Sequence, residues 1–452
     1  MTNRLESEAT RIAFIIPDKT YPWDSVHQGV GYIAAYTTKH HPQVKCAVFR
    51  TSGTQQQELT AFLAPGWDIV AVSLTKPALE ESRTILQAVK QAGSAKIVVG
   101  GSEVTTVEEG IFTILPEIDF AVSGEGEITF SELLGALAGK NELAGIKGLI
   151  YRDGDGLIRK NAPRLFQTDL EEFPYPERTL FQYDYDFHSI IGSRGCPYRC
   201  TFCNSSANWN HTYRLRKPKT VAAEIKEIIR QYGHSKHFAF NDDSFNINRQ
   251  WVLELCEQLK EFQIRWWIRG LRAGLVTEEI AAKLAEAGCF GASCGVESAN
   301  NEALKIMRKS TTIEEIMRGV DFLQARGLDV IGQFIIGNQG DTLATVKESL
   351  KCARRFKKAT FGIAYPIEHT YLWEFVEENK LRLDTPVPIK YQGKTIDWIL
   401  FDTPEFPLND RIKAVDLAIK AGFYHNINYD SSPSVLKRFK QLIKHLQLRS
   451  YL

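Results

Sequence analysis

Short apolar segments alternate with segments of helical spacing along most of this 452-residue chain. Near the amino terminus, the segments RIAFII, DIVAVSL and KIVVGG are apolar at successive positions rather than at every second one. Strands with this pattern are covered by helices on both faces, as in parallel sheets. The alternation therefore predicts an α/β, doubly wound, Rossmann-like domain at residues 1–144.

The alternation resumes after Cys203 and continues to about residue 370, and repeated βα units over such a length fit a complete or partial barrel better than a second open sheet. We therefore predict a barrel domain at residues 188–370. Residues 145–187 contain turn-forming residues and the segment FPYPE, and they are expected to be a linker or a small β element. Residues 371–452 are expected to form a small α-rich C-terminal region, because apolar residues recur at helical spacing in the tail.

The charge balance narrows the choice of partners. Lys and Arg number 55 against 54 Asp and Glu, which gives a net charge of +1. Such a chain has no overall field that would attract nucleic acid or an anionic membrane, so neither is an expected partner. No apolar stretch approaches the roughly 20 residues that span a bilayer, and no export signal is visible. A cytoplasmic, reducing location is expected.

Three of the eight cysteines lie close together, at Cys196, Cys200 and Cys203. Eight cysteines in so long a chain are too sparse for a disulfide scaffold, so this group indicates a metal or redox site. A structural zinc site would need a fourth ligand, and His211 is the only candidate nearby. Three thiolates on a four-iron four-sulfur cluster would instead leave one iron open for chemistry.

The cysteine spacing CxxxCxxC, with the aromatic Phe202 before the third cysteine, resembles the signature of the radical S-adenosylmethionine (SAM) superfamily. The resemblance implies that Cys196, Cys200 and Cys203 bind a four-iron four-sulfur cluster whose open iron is chelated by SAM. It also implies reductive cleavage of SAM to methionine and a 5′-deoxyadenosyl radical. An electron donor such as flavodoxin or ferredoxin would supply the electron.

Later segments resemble motifs by which this family binds SAM. The resemblance implies SAM contacts, besides Phe202, for residues that follow or end predicted strands: Asp242, Asp243, Arg269, Glu297 and Ser298. Asp242 and Asp243 can also be interpreted as solvated loop carboxylates. The segment that begins at Gly337 departs from the family's usual Gly-Leu-Pro-Gly-Glu-Thr, because Asn338 and Gln339 replace Leu and Pro.

The amino-terminal domain resembles the cobalamin-binding (B12-binding) domain of one subgroup of this superfamily. A nicotinamide fold is disfavoured, because no GxGxxG follows the first strand. Gly100 and Gly101 end a predicted strand and allow a bulky cofactor to approach the backbone closely. The resemblance implies that cobalamin is held by residues at the carboxyl edge of this sheet, namely Ser73, Thr75, Gly100, Gly101, Glu125, Gly126 and Glu127.

The Asp-x-His-x-x-Gly motif that gives B12-dependent mutases a cobalt ligand is absent, since Asp24 and His27 have a different spacing. The subgroup includes members without such a histidine. A second interpretation is a vestigial cobalamin domain that contributes only substrate contacts.

The function implied by these resemblances is cobalamin-dependent methylation of an unactivated carbon or phosphorus centre in a small-molecule or peptide substrate. A non-methylating radical SAM enzyme, such as a cyclase or a ring-contracting enzyme, is the alternative. A methylthiotransferase acting on RNA or protein is a different class, and the neutral charge and the lack of a recognisable basic nucleic-acid-binding appendage disfavour RNA as its substrate. No catalytic residue beyond the cofactor contacts is assigned from the sequence.

Overall fold

The computed structural model of the protein describes residues 10–18, 26–51, 54, 56–181, 187–233, 237–391 and 394–423. These residues divide into two compact units. The first contains the described residues up to Thr168 together with Glu172 to Phe181, and the second contains Asp169 to Glu171 and the described residues from Phe187 to Phe423. Asp24 and the helical spacing predicted in the tail lie outside the described residues.

The first unit is built on one sheet. Its strands are β1 (Arg11–Ile16), β2 (Lys45–Arg50), β3 (Ile69–Ser73), β4 (Lys96–Gly100), β5 (Phe120–Val122), β6 (Leu149–Arg152) and β7 (Ile158–Lys160). Among the described residues the strand order is β2-β1-β3-β4-β5-β6-β7, with β1 to β5 parallel and β6 and β7 antiparallel. The segment that we expected to be a linker or a small β element thus supplies the last two strands of this sheet.

Helices cover the parallel part of this sheet, as its continuous apolar strands predict. They are α1 (Gln28–His40), α2 (Gln56–Leu63), α3 (Leu79–Ala92), α4 (Ser102–Val107), α5 (Ile111–Ile114) and α6 (Gly126–Leu137). Ile12 and Ile15 on β1 and Val70 on β3 are almost completely buried, although they alternate between the two faces of the sheet. The predicted Rossmann-like architecture is confirmed.

The second unit is built on a parallel sheet that follows the βα repeat. Its strands are β8 (Phe187–Ile190), β9 (Ser193–Gly195), β10 (Tyr213–Leu215), β11 (His237–Phe240), β12 (Trp266–Leu271), β13 (Cys289–Glu297), β14 (Asp329–Ile336), β15 (Lys358–Ile363), β16 (Arg382–Tyr391) and β17 (Lys394–Phe401). Among the described residues, β15-β14-β13-β12-β11-β8 form one six-stranded parallel sheet. Its first and last strands, β8 and β15, are not paired with each other, so the barrel is partial.

Most of the helices in this unit connect successive strands of the partial barrel. They are α7 (Asn204–Asn208), α8 (Pro218–Tyr232), α9 (Arg249–Lys260), α10 (Glu278–Glu286), α11 (Asn301–Ile306), α12 (Ile313–Ala325), α13 (Leu343–Ala353), α14 (Tyr371–Glu378) and α15 (Leu408–Lys420). Side chains provide the amino-terminal caps at several of them: Asn248 accepts a hydrogen bond from the Trp251 amide, and Thr312 forms a capping box with Glu315. These caps fix where the helices begin.

Aromatic side chains fill the core between the sheet and helices α8 and α9. The rings of Phe240 and Trp266 meet edge to face at 5.2 Å, and Phe245 lies 5.1 Å from Phe240. Trp251 of α9 joins them and donates its indole N–H to the Arg216 carbonyl oxygen at 2.6 Å. This core supports the strand ends and loops that form the candidate site.

The C-terminal region contains a hairpin that the sequence did not predict. Strands β16 and β17 pair in an antiparallel two-stranded sheet, between α14 and α15. Pro386 and Pro388 interrupt the strand pattern of β16, and proline is tolerated only where a strand lacks a partner on one side.

No helix among the described residues has both the length and the apolar character needed to cross a bilayer.

We expect truncation of the core of the second unit to be costly. Leu255 on α9 is completely buried, so Leu255→Ala should lower the free energy of unfolding by about 2 to 5 kcal/mol through lost burial and a residual cavity. Leu275→Ala, at a leucine that is 37% exposed, is the control and should cost less than about 1 kcal/mol. Urea unfolding followed by circular dichroism measures both. Equal losses would contradict the described packing of α9.

Candidate functional site

The three clustered cysteines lie on one loop between β9 and α7. The Cys196 and Cys200 side chains are buried and that of Cys203 is partly exposed. None of the three cysteines forms a disulfide, and the Cys203 amide donates a hydrogen bond to the Cys200 carbonyl oxygen at 3.2 Å. In the described residues no group of three or more His, Cys, Asp or Glu side chains already has metal-binding geometry. The loop supplies three soft donors of the kind that iron–sulfur clusters use, although the described conformation does not bring them together in metal-binding geometry.

Backbone hydrogen bonds hold this cysteine loop from two sides. The Thr201 amide donates to the Met307 carbonyl oxygen at 3.0 Å, and the Leu372 amide donates to the Thr201 carbonyl oxygen at 2.8 Å. Phe202 packs in a small apolar group with Ala364, Leu372, Val376 and Phe401. The loop is thus fixed by segments that are distant from it in the sequence.

Two cations lie beside the cysteine loop. The Arg272 guanidinium is stacked 3.5 Å from the ring centroid of Tyr198, a residue between the first two cysteines, and it donates to the Lys309 carbonyl oxygen. The Lys309 ammonium pairs with Glu297 at 2.7 Å, and both side chains are buried. Burial raises the pKa of the Cys196 thiol, whereas the positive charge of Arg272 opposes that rise. Positive charge of this kind favours thiolates, the form that binds iron.

The predicted SAM-binding carboxylates support the segment that leads into the cysteine loop. Asp242 is buried and accepts hydrogen bonds from the Gly192 amide at 3.1 Å and from the Ser193 hydroxyl. Burial raises the pKa of Asp242 to about 6. Asp243 is exposed and accepts hydrogen bonds from the Gly195 amide at 3.2 Å and from the Ser205 hydroxyl. Both carboxylates already have protein partners.

The other predicted SAM contacts lie on β12 and at the end of β13. Arg269 is exposed and points away from the face that buries Trp266 and Ile268, with its guanidinium 5.6 Å from the Phe187 ring centroid. Glu297 has a left-handed backbone with φ of 66°, uncommon for a residue other than glycine and often a mark of functional sites. Ser298 is fully buried and accepts a hydrogen bond from the Asn300 amide at 3.2 Å.

Buried polar atoms without hydrogen-bond partners occur where β-strands end and around the cysteine loop. Within the described chain they include side-chain atoms of Thr201, Asn204, Asn241, Ser244 and Asn338. Folded proteins leave few such atoms, and those that remain point to a missing ligand, ion or water. These residues therefore fit a site built to hold a polar cofactor.

The loop that departs from the family pattern, residues 337–342, is organised around Asp341. This buried carboxylate accepts hydrogen bonds from the amides of Gly337 at 3.0 Å and Asn338 at 3.2 Å, and from the Thr345 hydroxyl at 3.0 Å. Burial raises the pKa of Asp341 to about 7, against the opposing effects of these hydrogen bonds and of Arg411. Asn338 accepts a hydrogen bond from the Gln339 amide at 2.9 Å, so the two departing residues form a local turn.

The predicted cobalamin contacts lie at the carboxyl edge of the first unit's sheet. Ser73 of β3 is the register partner of Gly100 of β4. The Ser73 hydroxyl lies 3.3 Å from His27 Nε2, and His27 Nδ1 accepts a hydrogen bond from the Val30 amide at 3.3 Å. Burial lowers the pKa of His27 to about 4, so this imidazole is neutral and its Nε2 carries the proton.

The two glycines at this edge have different roles. Gly101 has φ of 109°, and an added Cβ would lie 2.5 Å from the Leu74 carbonyl oxygen. This glycine is required by the backbone of its own unit, without reference to a cofactor. At Gly100 the nearest atom to an added Cβ is the Val122 carbonyl oxygen at 3.6 Å, an ordinary contact, so space remains.

Three of the remaining predicted contacts lie at the start of α6, and the fourth, Thr75, follows β3. Glu125 accepts a hydrogen bond from the Gln167 amide at 3.1 Å, and Gly126 allows Ile33 of α1 to pack closely. Glu127 is buried in the first turn of α6, and Thr75 precedes a short 3-10 turn without a side-chain cap.

Two family models match the chain. The radical SAM superfamily model matches residues 190–353, and the B12 binding domain model matches residues 21–134. The chain is also 32% identical over 326 residues to an uncharacterised methyltransferase of Pyrococcus horikoshii, covering 70% of this chain and 71% of that protein. The chain belongs to the radical SAM superfamily. Its B12-binding domain places this radical SAM protein in the cobalamin-binding subgroup.

A second relative has a different name. The radical SAM protein is 28% identical over 318 residues to the anaerobic magnesium-protoporphyrin IX monomethyl ester cyclase of Rubrivivax gelatinosus. That alignment covers 67% of this chain and 56% of the cyclase. Membership of the family is therefore compatible with more than one reaction.

Solved structures share the fold. The structure of the radical SAM methyltransferase TsrM from Kitasatospora setae with cobalamin and a [4Fe-4S] cluster superposes with a TM-score of 0.70 at 18% identity, covering 89% of this chain and 81% of that chain. TsrM with tryptophan substrate and a SAM analogue gives a TM-score of 0.74 at 17% identity, covering 91% and 89%. At these identities the similarity concerns the fold.

Sequence reasoning missed three charged residues of this radical SAM protein: Arg272, Lys309 and Arg411. None belongs to a motif that we interpreted. Each contacts a residue that only the folded chain brings close to it, namely Tyr198, Glu297 and Gly337 in that order. Arg411 is 2% exposed, but Asp410 and Lys413 lie close to it in a segment of mixed polarity, so nothing in the sequence distinguishes it from a surface arginine.

We expect Asp341 to make stability depend on pH. Because its folded pKa is raised, its stabilising contribution is complete below the unfolded value of 3.8 and is lost as pH rises through about 7. Relative to Asp341→Asn, the wild type should therefore lose roughly 1 to 3 kcal/mol of unfolding free energy between about pH 5 and about pH 8. Urea unfolding across this range measures the difference.

Asp321→Asn is the matched control, since Asp321 is exposed and pairs with Arg355 at the surface. Its difference from the wild type should not change over the same interval. Parallel pH profiles for the wild type and Asp341→Asn would show that Asp341 has no raised pKa.

Proposed function

We propose that this radical SAM protein is a cobalamin-dependent methyltransferase that acts on an unactivated carbon or phosphorus centre of a small-molecule or peptide substrate. The observation that carries the proposal is that one chain contains both a loop with three closely spaced cysteines, held by backbone hydrogen bonds, and a separate parallel sheet matched by the B12 binding domain model. The methyltransferase name of the Pyrococcus relative supports the same reaction, and TsrM shares the fold.

In this proposal Cys196, Cys200 and Cys203 hold the iron–sulfur cluster. Arg272 and Lys309 compensate the negative charge of the thiolates, and the bonds of Thr201 fix the loop. When bound, the cluster supplies the electron for SAM cleavage, and cobalamin supplies a carrier for the methyl group. A reduced protein such as flavodoxin or ferredoxin is the proposed electron donor, in a cytoplasmic location.

The proposed SAM contacts are those that the sequence indicated: Phe202, Asp242, Asp243, Arg269, Glu297 and Ser298. Asp242 and Asp243 act by holding residues 192–195 at the entrance to the cysteine loop. Glu297 is oriented by Lys309, and Arg269 offers an exposed cation for a carboxylate.

The proposed cobalamin contacts are Ser73, Thr75, Gly100, Gly101, Glu125, Gly126 and Glu127. Gly101 acts indirectly, by letting the Leu74 backbone approach. His27 is not a proposed cobalt ligand, because its Nδ1 accepts a backbone hydrogen bond and its Nε2 faces Ser73.

A non-methylating reaction is the second candidate. The named cyclase relative, which aligns with 67% of this chain, favours it. In that case the first unit would be a cobalamin-binding or vestigial domain, while the cysteine loop would keep its role. The two candidates differ in whether a methyl group leaves SAM for a product.

The cluster assignment predicts the behaviour of a triple Cys→Ala variant at residues 196, 200 and 203. After anaerobic reconstitution it should lose the iron and the cluster absorbance and form no 5′-deoxyadenosine, because no thiolate remains to bind iron. The double variant Cys46→Ala/Cys352→Ala, at thiols remote from the loop in sequence, is the control and should retain both. Full iron content in the triple variant would disprove the assignment.

The cobalamin assignment predicts near-stoichiometric uptake of hydroxocobalamin by the wild type. Gly100→Trp should block uptake while leaving the iron content unchanged, because a large side chain would fill the space beside Val122. Gly154→Trp, in the turn between β6 and β7 where an added Cβ meets no atom within 4 Å, is the control. Absorbance spectra measure the bound cobalamin, and SAM with a labelled methyl group shows whether that group is transferred to a product. Substrate turnover by protein that binds no cobalamin, or substrate turnover with no transfer of a methyl group, would favour the cyclase candidate.

A further inference from the structure

Helix α15, in the C-terminal region, carries a guanidinium that is buried almost completely. Arg411 is 2% exposed and belongs to the largest fully buried side chains of the described chain. Burying a charge is unfavourable unless hydrogen bonds and nearby charges compensate it. The position of this arginine therefore requires a specific set of partners.

Arg411 has partners on two separate segments. Its Nη1 donates to the Gly337 carbonyl oxygen at 2.8 Å, and its Nε donates to the Phe406 carbonyl oxygen at 2.9 Å. The guanidinium lies 4.4 Å from the ring centroid of Phe401 and 5.0 Å from that of Phe406. Burial lowers the pKa of Arg411 to about 10, which still leaves the side chain charged at neutral pH. Charged donors form the stronger hydrogen bonds in proteins.

The 337–342 loop is shaped to receive this side chain. Gly337 has φ of 87°, and an added Cβ would lie 2.3 Å from Arg411 Nη1. Gly340 has φ of 83°, and an added Cβ would lie 2.7 Å from Ile306 Cδ1. Asp341 holds the loop from inside through the amides of Gly337 and Asn338. Arg411 thus contacts the loop at Gly337, where the positive φ favours glycine and no side chain lies between the backbone and the guanidinium.

The composition of the loop explains why an external contact matters. The family pattern has a proline where this chain has Gln339, and proline restricts the backbone before any contact forms. Gln339 gives no such restriction, so the loop conformation depends on hydrogen bonds. The bond from Arg411 to the Gly337 carbonyl oxygen is one that comes from outside the loop.

The loop and the cysteine loop share an apolar support. Ile335 lies near the end of β14, shortly before Gly337. It packs against the apolar group that contains Phe401, and so does Phe202 of the cysteine loop. Phe401 is also the ring beneath Arg411. The C-terminal region therefore contacts the cysteine loop and the end of β14, which leads into the 337–342 loop, through one side-chain group.

We propose that Arg411 is a positioning residue for SAM, which fixes the 337–342 loop in its SAM-binding conformation from the C-terminal region. The inference rests on the proposed function, which assigns SAM contacts to Glu297 and Ser298 at the end of β13, and on the position of the 337–342 loop directly after the neighbouring strand β14. It assigns to α15 a role in cofactor affinity in addition to packing. Arg411 acts through the loop and has no assigned contact with SAM.

The test measures SAM affinity in reconstituted full-length protein without reductant. Equilibrium dialysis should show that Arg411→Met raises the dissociation constant of SAM by about tenfold, the size expected for losing one charge-assisted hydrogen bond. Arg411→Lys should restore part of the affinity. The KM for SAM should rise more than kcat falls, and iron and cobalamin contents should match the wild type.

Lys413→Met is the matched control. Lys413 lies on the same helix, its side chain is 64% exposed, and it pairs with Asp410 at 2.9 Å. This variant should bind SAM as the wild type does. A change of the same size in Lys413→Met would overturn the proposal, because it would show a general effect of α15.

Gly337→Ala tests the same contact from the loop and keeps the proposal falsifiable if Arg411→Met does not fold. Its Cβ would displace Nη1, and an alanine at φ of 87° would also strain the loop itself, so SAM affinity should again fall. In the double variant Arg411→Met/Gly337→Ala, the dissociation constant of SAM should rise by less than the product of the two single-variant increases, because both substitutions disrupt the same contact. Unchanged SAM affinity in either folded single variant would overturn the proposal while leaving the proposed function intact. Failure of the wild type to bind SAM would overturn both.

Discussion

The parallel alignment of β8 and β11 to β15 is the constraint on which the candidate site depends. Parallel strands end at one edge, so the loops that follow them meet there although they are far apart in the sequence. Asp242 follows β11, Glu297 ends β13 and Gly337 follows β14. The cysteine loop lies after β8 and β9 and is tied to Asp242 through Gly192 and Ser193. Without this alignment, the side chains in question would be unrelated loop residues.

The partners of buried charged side chains influence the conformation of these loops more than they influence the free energy of unfolding. Buried ion pairs such as Lys309 with Glu297 contribute little net stability, since desolvation offsets most of their attraction. Removing one partner is costly, however, because it leaves a buried charge unpaired. The same reasoning applies to Arg411 near Asp341 and to Asp242 among its amide donors. Each of these contacts favours the loop geometry in which the buried charged group keeps its partners. A site that must hold several cofactors needs loops fixed in this way.

The first unit has a comparable organisation, with a difference that matters for cobalamin. Ser73 and Gly100 meet at the carboxyl edge through the register of β3 and β4. His27 reaches the same edge, but its hydrogen bonds to Val30 and Ser73 occupy both ring nitrogens. A neutral buried imidazole with these two hydrogen bonds links α1 to the edge of the sheet, and it does not present a nitrogen lone pair to cobalt. The missing mutase motif and the contacts of His27 therefore agree.

The sequence by itself determined the two α/β units, the partial barrel, the cysteine loop and the family, because these depend on local periodicity and on residue spacing. It placed Asp242, Glu297 and Ser73 at strand ends for the same reason. It did not determine the β16–β17 hairpin, since Pro386 and Pro388 weaken the strand pattern and pairing is nonlocal. It also gave no indication of Arg272, Lys309 and Arg411, whose partners are Tyr198, Glu297 and Gly337. Only the tertiary structure decided those contacts, because a buried cation acquires its role from the carbonyl groups, carboxylates and rings that folding brings to it.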